Sequence, residues 1–261
     1  MHNQSRRMSF DDDLQVLLQA CGVPRRRAPR LADRLADVEQ HRVASGAGTL
    51  AAWRLGTGPA VLLVHGWEDD HTLWSPLIDV LAQRGRALVA FDMVAHGFSD
   101  GEWGLHPEAI DGLHAVARAL GPVDAVVAHS SGAGTAALAL HEGLPARRSV
   151  FVAPPLRGGS RYARYADRLG FAPEVAAAAH AHEEERLGPA RAAFRMRDAL
   201  PTLDTELLLV HSVDDERMPF GDSEGVARQC PRATLLRVEG AKHRRTAREP
   251  DVVAAVAGWV T

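Results

Sequence analysis

Only two cysteines occur in the 261 residues, Cys21 and Cys230, and they lie far apart. They give no metal-ligand spacing and no disulfide framework, which suits a reducing compartment; a single bridge between them stays open. No charge of one sign is in large excess. The formal net charge is −3, so nothing sequence-wide points to nucleic acid or to an anionic membrane. The richest charge runs, Arg25-Arg26-Arg27 and Glu183-Glu184-Glu185, are short and fit solvated faces. No stretch approaches the length of a bilayer span. Arg6-Arg7 near the amino terminus is followed by Asp11-Asp12-Asp13, not by the apolar run of a secretory signal. Internal repeats and low-complexity segments are missing. The expectation is a soluble cytoplasmic protein, long enough for one large α/β domain.

What is present is an alternation of apolar strands and helical segments. Residues 1–41 form an expected helical appendage: Leu14, Val16, Leu17 and Leu18, then Leu31, Leu35 and Val38, suggest two short helices around a Pro/Arg-rich break at 24–29. The domain proper spans 42–261. Residues 42–44, 50–54 and 60–64 are expected strands, the first two a hairpin around Ser45-Gly46-Ala47-Gly48. Further strands are expected at 87–91, 123–128, 149–153, 206–210 and 233–238. Helices are expected at 73–84, 107–120, after Ser130, at 223–229 and at 251–259. Apolar strands separated by helices predict a mostly parallel eight-stranded sheet covered on both faces, with an antiparallel edge. The alternation breaks at 154–204, a stretch rich in Arg, Ala and Glu with helical signal at 161–169 and 173–187. We read it as a small helical cap over the carboxyl ends of the strands, where such sheets bind ligands.

The most informative segment is Val126-Val127-Ala128-His129-Ser130-Ser131-Gly132-Ala133-Gly134. A strand turning sharply into a helix around a serine needs small residues two before and two after it, because the backbone is tight. Such a turn exposes the hydroxyl, and a histidine within reach makes it a nucleophile. Ser131 is the weaker candidate, since it would put His129 where a small residue is needed. Three more signals fall at strand ends. Gly66 of Val64-His65-Gly66-Trp67 lets the backbone turn so that the next amide can face a cavity. Asp214 and Asp215 sit in an acidic loop after the strand ending at Val210. Glu239-Gly240-Ala241-Lys242-His243 is a loop bearing a histidine.

Here the chain resembles the α/β-hydrolase family, in which the chain order is Ser, Asp or Glu, His around an elbow motif. The resemblance runs from about residue 42 to the carboxyl terminus. His65-Gly66-Trp67 resembles the family's oxyanion loop, and Asp92-Met93-Val94-Ala95-His96-Gly97-Phe98-Ser99 its Asp-x-x-Gly-His-Gly-x-Ser stretch. His211 through Pro219 resembles the acid loop, and Gly240-Ala241-Lys242-His243 the histidine loop. Ala128, Ala95 and Ser212 stand where the family usually has glycine; none of these departures removes a reacting group. The resemblance implies Ser130 as nucleophile, His243 as base and Asp215 as its acid partner, the spacing from His211 and to Pro219 favouring Asp215 over Asp214. It implies the amides of Trp67 and Ser131 as oxyanion donors. His65, Gly66 and His129 are candidates to line the substrate pocket. Trp67, Trp74 and Trp103 are candidates for an acyl pocket or for core and cap packing. No metal or other cofactor is implied. The implied activity is that of a serine hydrolase, foremost a carboxylic-ester hydrolase on a small-molecule acyl substrate. Amide or thioester hydrolysis, acyl transfer, perhydrolysis, carbon–carbon cleavage and a non-catalytic binding protein are the alternatives. Dehalogenases and epoxide hydrolases fit poorly, because position 130 is serine and not aspartate. Arg157, Arg161, Arg164 and Arg168 of the insertion would suit an anionic substrate if they faced the pocket, though arginines on short helices more often face solvent. A homo-oligomer is compatible with the sequence.

Overall fold

The computed structural model describes residues 9–26, 28, 30–157 and 161–261. Residues 1–8 of the expected appendage, two positions of the 24–29 break and residues 158–160 of the expected cap lie outside the described residues. Eight strands form one sheet: β1 (Gln40–Ser45), β2 (Gly48–Leu55), β3 (Ala60–Val64), β4 (Leu88–Phe91), β5 (Val123–His129), β6 (Arg148–Val152), β7 (Glu206–Ser212) and β8 (Ala233–Val238). Their order across the sheet is β1-β2-β4-β3-β5-β6-β7-β8. β2 pairs antiparallel with both β1 and β4, whereas every pairing from β4 to β8 is parallel. Each expected strand is found, its ends shifting by at most two residues, together with the expected hairpin and the mostly parallel sheet.

Strand parity sorts the core. In β3 every residue is buried. Ala60, Leu62 and Val64 join one apolar cluster with Leu113 and Val116 of α3 (His106–Leu120), Ala133 and Ala136 of α4 (Ser131–His141), and Val226 of α8 (Phe220–Gln229). Val61 and Leu63 point to the opposite face, packing with Leu77, Ile78 and Leu81 of α2 (Ser75–Gln83) and Val252, Val253 and Val256 of α10 (Pro250–Trp259). Side chains alternate across a strand, so a continuous apolar run serves a sheet covered on both sides. Trp74 belongs to this second cluster and is fully buried, which assigns it to the core and not to a pocket.

A third cluster holds the cap. α5 (Arg161–Leu169) and α6 (Pro173–Ala192) contribute Tyr162, Ala166, Val175, Ala176 and Ala179. Their partner is α1 (Phe10–Gly22), which inserts Leu17, Leu18 and Cys21. The amino-terminal helix is therefore packed into the cap. The expected second helix is a single 3-10 turn at Asp33–Leu35. α6 runs straight as far as the expected end at Leu187 and then kinks, with Gly188 at φ +73° and Pro189 behind it. A short helix, α7 (Met196–Ala199), completes the insertion. Cys21 and Cys230 are free and buried in separate clusters, which closes the disulfide alternative. Burial pushes the Cys21 thiol up to about 11.

Candidate active site

The carboxyl ends of β3, β5, β7 and β8 carry the four sequence signals to one place. Ser130 follows β5 directly, with φ +51° and ψ −123°. This strained backbone is held because the turn is packed on every side. A side chain at Gly132 would collide with the His65 carbonyl, and one at Gly66 would press on His129 and the Ser130 Cβ. Ala128 stays in β5, paired with Val64 and Phe151, where an alanine costs nothing. Ala95 adopts φ +65°, so it takes the backbone that a glycine takes elsewhere in the family-like loop.

His243 lies on a short turn, α9 (Lys242–Arg245), after β8. Ser130 Oγ–H donates to His243 Nε2 over 2.9 Å, and His243 Nδ1–H donates to Asp215 Oδ2 over 2.7 Å. All three residues are less than a tenth exposed. Asp215 Oδ1 also accepts from the amides of Arg217 (2.8 Å) and Met218 (3.0 Å). Its neighbour His211 donates from Nε2 to the Met218 carbonyl (3.0 Å), lies 3.3 Å from Asp215 Oδ2, and accepts at Nδ1 from Ser223 Oγ (2.7 Å). Burial raises the pKa of Asp215, but hydrogen bonds from His211, His243 and the Met218 amide outweigh it and hold the carboxyl well below the usual carboxylate range. Asp214 turns the other way and accepts from the Gly240 amide. Two adjacent aspartates thus do different work: one faces the histidine and one ties the loops together.

The remaining histidines are braces. His65 is fully buried, donates from Nδ1 to the Gly66 carbonyl (2.8 Å) and accepts the Met93 amide at Nε2 (2.9 Å). His96 donates to the Val94 carbonyl (2.8 Å) and accepts the Glu68 amide (3.1 Å). His71 is held by Asp92 at 2.8 Å, and the other oxygen of Asp92 accepts the Phe98 amide at 2.9 Å. Together they pin the loop after β3 to the loop after β4. His129 is buried and donates from Nε2 to the His243 carbonyl (3.3 Å). Burial, then the neighbouring His243, pull its pKa down to about 3, so it stays neutral. With their rings enclosed, both nitrogens of His65 and Nε2 of His129 turned to backbone, His65 and His129 sit behind the site and not on an open pocket wall. Gly66 lies against the elbow itself. Among the described residues, the amides of Trp67 and Ser131 donate no hydrogen bond, and no group of His, Cys, Asp or Glu is placed to hold a metal ion.

The insertion arginines separate. Arg157 is two-thirds exposed beside Asp222, Arg164 is exposed, and the exposed Arg168 lies over Tyr165. Arg161 alone turns inward, 2.7 Å from Glu183 and over the rings of Trp67 and Tyr162. The loop acid Asp69 was not singled out by sequence. It sits in an acidic Glu68-Asp69-Asp70 run that looks like any solvated turn, yet it is buried and ion-paired with Arg244.

The family model for the α/β hydrolase fold matches residues 59–160, the span from β3 to the start of the cap. Over that span the chain matches the α/β-hydrolase fold. Solved structures agree over nearly the whole chain. An esterase from Pyrococcus furiosus superposes with a TM-score of 0.70 at 18% identity, covering 92% of this chain and 98% of that one. A thermophilic esterase from Thermogutta terrifontis gives 0.66 at 21%, covering 85% and 97%. A meta-cleavage product hydrolase from Pseudomonas fluorescens gives 0.61 at 17%, covering 85% and 97%. By sequence, a 54-residue stretch is 44% identical to an uncharacterized protein of Mycobacterium tuberculosis; it spans 20% of this chain and 16% of that protein. At these identities the structures establish a shared α/β-hydrolase fold. Among the described residues, no helix is long and apolar enough to cross a membrane.

Proposed function

We propose that this α/β hydrolase is a serine hydrolase acting on carboxylic esters of small acyl groups. The observation that carries the reading is the hydrogen-bonded series Ser130–His243–Asp215, with the base 2.9 Å from the hydroxyl and the acid 2.7 Å from the base. Two esterases among the structural neighbours support the ester as the bond cleaved. A serine hydroxyl is a poor nucleophile at neutral pH. His243 accepts its proton at Nε2 as Oγ attacks the carbonyl carbon, and Asp215 fixes the ring tautomer and stabilises the imidazolium. The oxyanion accepts from the Trp67 and Ser131 amides, the second at the amino end of α4, where the helix dipole adds to the attraction. His243 then protonates the leaving alkoxide, and a water activated by the same histidine hydrolyses the acyl-enzyme. The neutral His129 behind the ring offers no competing proton.

The test is labelling by a fluorophosphonate together with turnover of p-nitrophenyl esters. The expected result is one adduct, on Ser130, and loss of about 10³-fold or more in kcat for Ser130→Ala. Esterase activity that survives Ser130→Ala in folded protein would overturn the reading. Carbon–carbon hydrolysis is the second reading, favoured by the likeness to the meta-cleavage product hydrolase. A panel of esters and vinylogous diketones separates the two.

A further inference from the structure

The base is carried on a support that does not hold itself. The chain leaves β8 through Gly240 (φ +71°) and Lys242 (φ +56°), both left-handed, and α9 is only four residues long. A non-glycine residue in that region is strained and persists only where its surroundings fix it. The fasteners of this support on the side of the acid loop and behind the ring include Asp214, which accepts the Gly240 amide, Glu216, which pairs with Lys242, Thr246, whose Oγ–H donates to the Lys242 carbonyl, and His129, which donates to the His243 carbonyl. Another comes from across the site. Arg244, the residue after His243, forms an ion pair with Asp69.

Asp69 lies in the loop after β3, in a turn closed by its own amide on the Gly66 carbonyl at 3.2 Å. The same loop presents the Trp67 amide. The Asp69 carboxylate is 5% exposed, while the Arg244 side chain is 43% exposed. A carboxylate is buried only at a cost unless a cation meets it, and Arg244 of the histidine loop is a cation that does. The His129 ring lies 4.0 Å from Asp69 and is neutral.

We infer that Asp69 is a positioning residue: through Arg244 it clamps the loop bearing His243 to the loop bearing the Trp67 amide, so that base and oxyanion donor keep one spacing. This inference rests on the serine-hydrolase reading above. The proton acceptor and the oxyanion donor must address one carbonyl group at the same time, and a misplacement of about 1 Å can cost about 100-fold. Asp69 touches neither reacting atom and acts only through the two loops.

The experiment compares the wild type with Asp69→Asn, Arg244→Gln, the double variant and Arg244→Lys. It measures steady-state ester kinetics and amide hydrogen exchange over 240–246. The expected loss in kcat is about 10- to 100-fold for either single change, with KM within about threefold. The double variant is no worse than the poorer single, because both remove one link, and Arg244→Lys recovers most of the activity while confirming that position 244 tolerates change. Exchange over 240–246 rises about tenfold in Asp69→Asn, although residue 69 is on another loop. Any of three results would overturn the inference: kcat of Asp69→Asn within about twofold of wild type, single losses that multiply in the double variant, or exchange that does not change. The exchange arm needs no turnover, so it judges the clamp even if the wild type hydrolyses no ester, a result that would sink the serine-hydrolase reading instead.

Discussion

Adding one methyl group at Gly132 tests whether the elbow is as tight as its geometry requires. A Cβ there would stand 3.0 Å from the carbonyl carbon of His65 and 3.0 Å from the carbonyl oxygen of Val64, and nearer still to the His65 oxygen. These atoms are backbone at the end of β3, which is paired with β4 on one side and β5 on the other. None can rotate away as a side chain would. Relaxed carbon contacts lie at about 3.5–4.0 Å, so the start of α4 and the end of β3 must part by about 1 Å. Overpacking of that kind costs about 1–3 kcal/mol. The parting also separates Ser130 on the helix side from the Trp67 amide on the strand side, which at about 1 Å predicts a loss near 100-fold in kcat/KM. Gly134, two residues along the same helix, is the control. Its added Cβ would meet only Pro155 Cγ, at 3.6 Å. Gly134→Ala should therefore stabilise by about 0.5–1 kcal/mol through lower unfolded-chain entropy, and keep its activity. Urea unfolding and p-nitrophenyl acetate kinetics on both variants decide the matter. A Gly132→Ala protein with wild-type stability and activity, or two alanine variants that shift the same way, would refute the reasoning.

Asp215→Asn should lower kcat by about 10⁴-fold through loss of the fixed tautomer, whereas Asp214→Asn, which removes only the tie to Gly240, should cost less than about tenfold; equal losses in the ester assay would reverse the assignment. Burial raises the pKa of Glu183, but a hydrogen bond from His106 and the charges of His106 and Arg161 hold it at about 2 against an ordinary 4.5. A depressed carboxyl supplies stability that is complete above its unfolded pKa and is lost as pH falls toward the folded one. The gap in urea midpoint between wild type and Glu183→Gln should therefore be constant above pH 5 and shrink from pH 4.5 toward 2; a gap that widens in acid would contradict this. Leu17→Ala should cost about 2–5 kcal/mol locally and speed proteolysis within 161–192, because Leu17 is fully buried against the cap helices; cleavage unchanged there would show that α1 does not hold the cap.

The sheet and the placing of the candidate residues at its strand ends were legible because each is encoded locally. A parallel strand buried on both faces is a continuous apolar run, as in Ala60–Val64, and the chemistry sits where such runs end. The tight turn around Ser130 was legible because it forbids bulk, and Gly132 against His65 shows why. The choice between Asp214 and Asp215 rested on spacing and resemblance alone, because it depends on which way two adjacent side chains turn in a loop. Asp69 was not legible at all: its partner is 175 positions away, and nothing in the acidic run Glu68-Asp69-Asp70 marks the middle residue as buried. The amphipathic signal of α1 was visible, but its destination was not. Leu17, Leu18 and Cys21 make an apolar stripe that any surface could cover, and only the fold brings Tyr162 and Val175 to it.

That destination bears on where selectivity resides. Two apolar clusters hold the sheet between its helix layers, and Ser130, Asp215 and His243 hang from strand ends that those clusters fix. The cap has a core of its own, shared by α1, α5 and α6. It meets the sheet domain at α3, where Glu108 and Asp111 pair with Arg186 and Arg191 of α6 and His106 pairs with Glu183, and at the loop after β3, where the Arg161 guanidinium lies over Trp67 and Arg25, just after α1, pairs with Glu68. None of these contacts touches Ser130, His243 or Asp215, and of them only the last two reach the loop whose Trp67 amide is the proposed oxyanion donor. Substitutions in the shared core should then alter which acyl group is accepted, read in KM across a chain-length series. Substitutions of Arg161 should alter the rate for every acyl group alike, read in kcat.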